Sequence, residues 1–131
     1  MIKRIVLGGL AVFVAWSVLD FVIHGLILRS AYMSTPELWR PEAEMRTILM
    51  YVTVLLASLA FSGLYGWFVR NKGVGTGIKF GLLYGFAVGI GMGYGSFSVM
   101  PLPYIIAFTW CWGTVIECGV AGYLVGLIVR E

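Results

Sequence analysis

Charge is what this sequence has least of. Asp, Glu, Lys and Arg make up 11% of its 131 residues, where a soluble domain carries about 25%. With 60% hydrophobic residues and a mean hydropathy of +0.95, that scarcity excludes an ordinary soluble domain. Histidine is scarcer still. His24 is the one imidazole, so no Ser–His–Asp triad can be assembled with confidence, and a lone Asp–His pair could act as a base without specifying a reaction. A small membrane enzyme is therefore the third-ranked reading, and a non-enzymatic role ranks above it. Cysteine is limited to Cys111 and Cys118. They fall two helical turns apart on one apolar segment, too far to bridge each other, and there is no CxxC or His-rich zinc pattern. The glycine-rich NKGVGTG connector lacks the Lys-Ser or Lys-Thr and the preceding strand of a phosphate-binding loop, which excludes nucleotide binding there.

What is present is length of apolar chain. Four stretches, 5–28, 47–69, 78–100 and 104–129, each reach the roughly 20 residues that cross a bilayer as helix. They leave no room for a soluble domain. The expectation is one all-α unit over 1–131, a polytopic four-transmembrane-helix bundle. MIKRIVLGGL resembles the start of a signal peptide. The apolar region behind it is too long for a typical cleaved signal and no small-x-small site before Arg29 is followed by a polar mature start, so it reads as a retained first span. Lys3, Arg4, Arg70, Lys72, Lys79 and Arg130 fall on one side. Arg29, Arg40 and Arg46, offset by Glu37, Glu42 and Glu44, fall on the other. The positive-inside rule then puts both termini in the cytoplasm. The net charge of +3 is accounted for by topology and anionic lipid, with no nucleic acid partner.

The outer connector, 30–46, reads as a short interfacial helix: Thr35 as N-cap, Pro36 at the first helical position, Glu37 in the first turn. Pro41 reads as opening the second span, and Trp39 suits the headgroup region. The segment is a structural connector or a lid over an outward cavity. NKGVGTG, short and basic, reads as a mobile inner connector, and MPLPY as a tight outer turn.

Two patterns inside the spans carry chemistry. In the third, Gly77, Gly81, Gly85, Gly89 and Gly93 recur every four residues, with Gly91 and Gly95 as a second patch. Residues four apart share a helix face, and a face without side chains admits another backbone closely. Gly119, Gly122 and Gly126 on the fourth span, or Ser58, Ser62 and Gly66 on the second, offer partner surfaces. The stripe reads as a seam within the bundle or between protomers. The alternative is a groove for a flat apolar ligand such as a quinone, pigment or lipid.

The second pattern is ionisable. Asp20, His24 and Glu117 lie within apolar spans, where an unpaired charge costs several kcal/mol. Ser17, Asp20 and His24 form one polar stripe. At 1.5 Å per residue, Asp20 lies roughly 5 Å and His24 roughly 10 Å outward of mid-span, and Glu117 lies near the middle of the fourth span. If the first and fourth spans touch, the three form a descending ladder of the kind a proton relay uses. The alternatives are structural: a buried Asp–His pair locking helices, and a neutral Glu117 hydrogen-bonded across the bundle. Asp20 and His24 could also hold a divalent metal with other ligands. Trp16, Trp110 and Trp112 lie deep enough to wall a ligand or to pack against glycines.

At LDFVIHGLIL, Tyr32 and LWRPEAEM, over about the first third of the chain, the sequence resembles small bacterial four-helix membrane proteins that carry only a domain-of-unknown-function label. The resemblance implies a four-span bundle in a bacterial inner membrane. It supplies no reaction and no functional residue. Two functional expectations follow. The first is a small ion- or proton-linked transport or relay protein, homo-oligomeric because four short helices enclose little space. The second is a non-catalytic accessory or assembly subunit docking into a larger membrane complex through the glycine stripe.

Overall fold

The computed structural model describes all of residues 1–131. There are no strands. Helix α1 (Ile2–Asp20) runs on through a π-helical stretch, Phe21–Ile27, and is followed by the short α2 (Arg29–Met33). Single 3-10 turns at Pro36–Leu38 and Glu42–Glu44 lead to α3 (Thr47–Phe68). Helix α4 (Val74–Ile90) continues through a second π-helical stretch, Gly91–Gly95, into α5 (Ser96–Val99), and α6 (Tyr104–Ile128) completes the chain. Four continuous rods, Ile2–Ile27, Thr47–Phe68, Val74–Val99 and Tyr104–Ile128, are long and apolar enough to cross a membrane. The chain is an all-α bundle of the multi-pass membrane class. One side, the terminal side, carries both chain ends. The other, the loop side, carries the connector between α2 and α3.

Two connectors differ from expectation. The loop-side segment is not one interfacial helix. Pro36 and Pro41 each remove a backbone donor and restrict the residue before them, so helix starting at Pro36 stops by Trp39, whose backbone is extended. Thr35 holds the N-cap position without capping. Its hydroxyl donates to the Ala31 carbonyl at 3.0 Å and accepts from Trp39 Nε1 at 3.1 Å. Pro41 precedes the Glu42–Glu44 turn rather than opening the second span, which begins at Thr47. Nor is NKGVGTG a loose strap. Its last four residues already belong to α4, so the third span starts at Val74 instead of 78. Asn71 takes the left-handed turn with φ 51°. The Tyr65 hydroxyl donates to the Gly73 carbonyl at 3.0 Å and accepts from the Gly73 N–H at 2.9 Å.

Three kinds of seam join the spans. Against α4, α6 comes to backbone contact. A Cβ on Gly77 would meet the Gly122 carbonyl oxygen, one on Gly81 the Cys118 oxygen and one on Gly93 the Ala107 oxygen. One on Gly85 would reach Val115 Cα at 2.8 Å, and one on Gly89 the Cys111 oxygen at 2.6 Å. Between α1 and α3, Gly9 lies over Leu59, and Ser62 Oγ donates to the Ile5 carbonyl at 2.7 Å. Helix α3 reaches α4 only through large rings in the terminal half: Phe61 to Phe80 at 5.1 Å, Phe61 to Tyr84 at 5.2 Å, and Tyr65 to Phe80 at 5.6 Å between centroids. That half holds the main core, with Val12, Phe61, Tyr65, Ala121, Val125 and Val129 fully buried. On the loop side Ile23, Leu28, Leu102 and Ile106 form a smaller core.

Candidate functional site

Helix α1 also packs on α6, through Gly8 against Val125 and Val129 near the terminal side and through more polar contacts further out. Trp16 Nε1 donates to the Glu117 carbonyl at 2.9 Å. One turn further on, Gly113 leaves room for Ile23, whose Cδ1 would lie 3.1 Å from a Cβ placed there. Between these contacts the helices part around a cavity of about 270 Å³. Asp20, His24 and Glu117 all line it, as do Trp16, Tyr84 and Trp110. No lysine or arginine does. The two acids come from different spans and meet because α1 packs on α6 at this depth. Asp20 and Glu117 face the same cavity from α1 and α6. Glu117 Oε1 is buried without a hydrogen-bond partner, and so is Ser17 Oγ.

Asp20 and His24 do not form the direct hydrogen bond that an i, i+4 spacing suggests. Nε2 and Oδ1 are 3.9 Å apart, beyond hydrogen-bond length, in side chains 46% and 34% exposed. The π-helical stretch is the local cause. Leu28 N–H bonds to the Ile23 carbonyl, five residues back, at 2.9 Å, so the helix is wider here than an α-helix. Such π-turns occur frequently at functional sites. His24 faces Tyr32 instead, with Nδ1 2.6 Å from the hydroxyl and the two rings stacked at 17°. Trp110 Nε1 donates to the same hydroxyl at 2.7 Å. Trp39 closes over this group, edge-on to Tyr32 at 5.2 Å and to Trp110 at 5.9 Å.

Indole N–H can only donate, so Tyr32 accepts from Trp110. Its hydroxyl proton can be given to Nδ1, and its second lone pair can accept from Nδ1–H, according to the His24 tautomer. Burial pushes the Tyr32 phenol up to about 12, so it keeps its own proton at neutral pH. Tyr32 thus links His24 and Trp110 between the loop side and the cavity. Trp16 and Trp110 line the cavity, as their depth in the spans suggested, whereas Tyr32 and Tyr84 were not assigned to the site by spacing. The available signal was a tyrosine just past the span end.

No three His, Cys, Asp or Glu side chains converge closely enough to hold an ion, and His24 Nδ1 is already engaged by Tyr32. Cys111 and Cys118 are free and buried. The glycine stripe is not part of the cavity. Gly77, Gly81, Gly85, Gly89 and Gly93 are buried against α6, where Gly122 and Gly126 receive α4, and Gly119 faces Leu82. That leaves neither a groove for a flat ligand nor a free docking face along the stripe. Gly91 and Gly95 point away, with nothing within 4 Å.

No family model, curated protein or solved structure matches the chain.

Proposed function

We propose that this is a small proton-linked transport or relay protein of a bacterial inner membrane, with both termini cytoplasmic and the loop side facing out. One observation carries the reading: acids from two spans, Asp20 and Glu117, share a cavity with an imidazole hydrogen-bonded to a tyrosine outside the span. Intramembrane carboxylates and histidines that face an internal cavity are the groups from which proton pathways are built. Tyr32 and His24 offer exchange with the loop side. Toward the terminal side the cavity gives way to the rings of Phe61, Phe80 and Tyr65. The arrangement corresponds to an outward-facing state. Delivery to the other side then requires the helices to rearrange. The accessory-subunit reading is less well supported, because a partner docking on the glycine stripe would have to displace α6.

The test is proton movement in proteoliposomes containing a pH-sensitive dye. Asp20→Asn and Glu117→Gln should each reduce dye-reported flux at least tenfold while leaving thermal unfolding and monodispersity in detergent unchanged. Flux equal to wild type in both variants would sink the reading.

A further inference from the structure

The lining of the cavity also restricts what can enter it. An anion would find two carboxyl groups and no lysine or arginine. A small hard cation such as Mg²⁺ or Ca²⁺ needs six or more oxygen ligands at 2.0–2.6 Å, and the donors here do not converge. Aromatic faces, by contrast, attract cations through the ring quadrupole, and Trp16, Tyr84 and Trp110 supply three of them. Glu117 Oε1 is a buried acceptor without a donor at the same cavity, and an ammonium N–H is a donor of the right kind for it. The volume, about 270 Å³, falls just below the 300–1,000 Å³ range of ordinary ligand pockets. That suits one ring and its substituents rather than a polycyclic molecule.

We infer that the cavity binds a small aromatic or apolar organic ammonium ion bearing at least one N–H, its charge between Asp20 and Glu117 and its body against Trp16, Tyr84 and Trp110. The inference rests on the proton-linked reading in one respect. As the ammonium enters, a proton held by the Asp20–Glu117 pair leaves as H⁺ toward the loop side through His24 and Tyr32. Charge then balances, one cation in for one proton out, and no covalent bond to carbon is made or broken.

The probe is N,N-dimethylbenzylammonium, and its control is isobutylbenzene, the neutral molecule of nearly the same shape. Both are titrated calorimetrically into purified wild-type protein in detergent, with empty micelles subtracted, and proton release is followed in weak buffer. The expected result is saturable binding of the cation at one per chain, at least tenfold tighter than the hydrocarbon, with about one proton released. Asp20→Asn and Glu117→Gln should each weaken it at least tenfold. Equal affinity for the two probes, or no saturable binding of the cation, overturns the inference without needing any variant to fold. Cation binding without proton release would keep the site and remove the proton link. Proteoliposome flux that depends on both acids, with no cation binding, would keep the link and remove this ligand.

Discussion

Helix α6 is held on two faces by opposite means. Toward α4 it is nearly featureless, and Gly122 and Gly126 meet Gly77, Gly81 and the Gly73–Val74 backbone. Toward α1 it carries Trp110, Gly113 and Glu117, with space left between the helices. In lipid no hydrophobic effect drives helices together, so close van der Waals contact and interhelical hydrogen bonds must do it. The first face relies on contact and is dry. The second relies on a few hydrogen bonds and stays open. One helix can therefore be fixed rigidly to one neighbour while keeping a reactive cleft toward another. The difference is written in which residues lack side chains.

Substitutions can break this contrast, and the largest effect should come from the dry face. Gly81→Leu puts a branched side chain where even a Cβ meets the Cys118 oxygen. It should cost about 3 kcal/mol or more, seen as loss of the cooperative helical melt by circular dichroism in detergent. On the open face, the carboxamide changes at Asp20 and Glu117 should remove proton flux and leave the melt in place. Trp16→Phe deletes the donor to the Glu117 carbonyl and should lower stability by about 0.6 kcal/mol, the average for interhelical hydrogen bonds in membranes. Tyr32→Phe removes the hydroxyl shared by His24 and Trp110. It should slow proton exchange on the loop side more than it changes the melting temperature. Smallest of all, Gly91→Ala lies in the same rod as Gly81 but with nothing within 4 Å. It should stay within about 0.5 kcal/mol of wild type. A large loss there would mean that position, rather than contact, governs the glycine effect.

The spans were legible because hydropathy and length decide them directly, and the structure shifts their ends by only a few residues. The start of the third was not, since Val74–Gly77 is too glycine-rich to read as helix, yet the Gly77 N–H closes onto the Gly73 carbonyl at 2.8 Å. The face of the glycine stripe could be read from its period of four, but not which helix covers it. The same limit applied to Asp20 and Glu117. Their depths follow from counting residues, whereas their meeting depends on α1 packing against α6, which no periodicity within either helix encodes. His24 shows a different failure. Spacing arithmetic assumes 3.6 residues per turn, and Phe21–Ile27 does not keep it, so the imidazole pairs with Tyr32, eight residues on.

Mechanically, the seams divide the molecule into two boards. Helices α4 and α6 make one, locked by backbone contact, and α1 and α3 the other, clasped by Gly9 on Leu59 and by Ser62 on Ile5. The joint between them contains the empty space and the unpaired acceptor on the loop side, and the main core of Val12, Phe61, Tyr65, Ala121, Val125 and Val129 on the terminal side. Of the large rings bridging α3 and α4, Tyr65 is the one held by hydrogen bonds, to the Gly73 backbone. If the protein works as the proposed relay, the change in which side the cavity faces would be a swing of one board against the other about the Trp16–Glu117 contact.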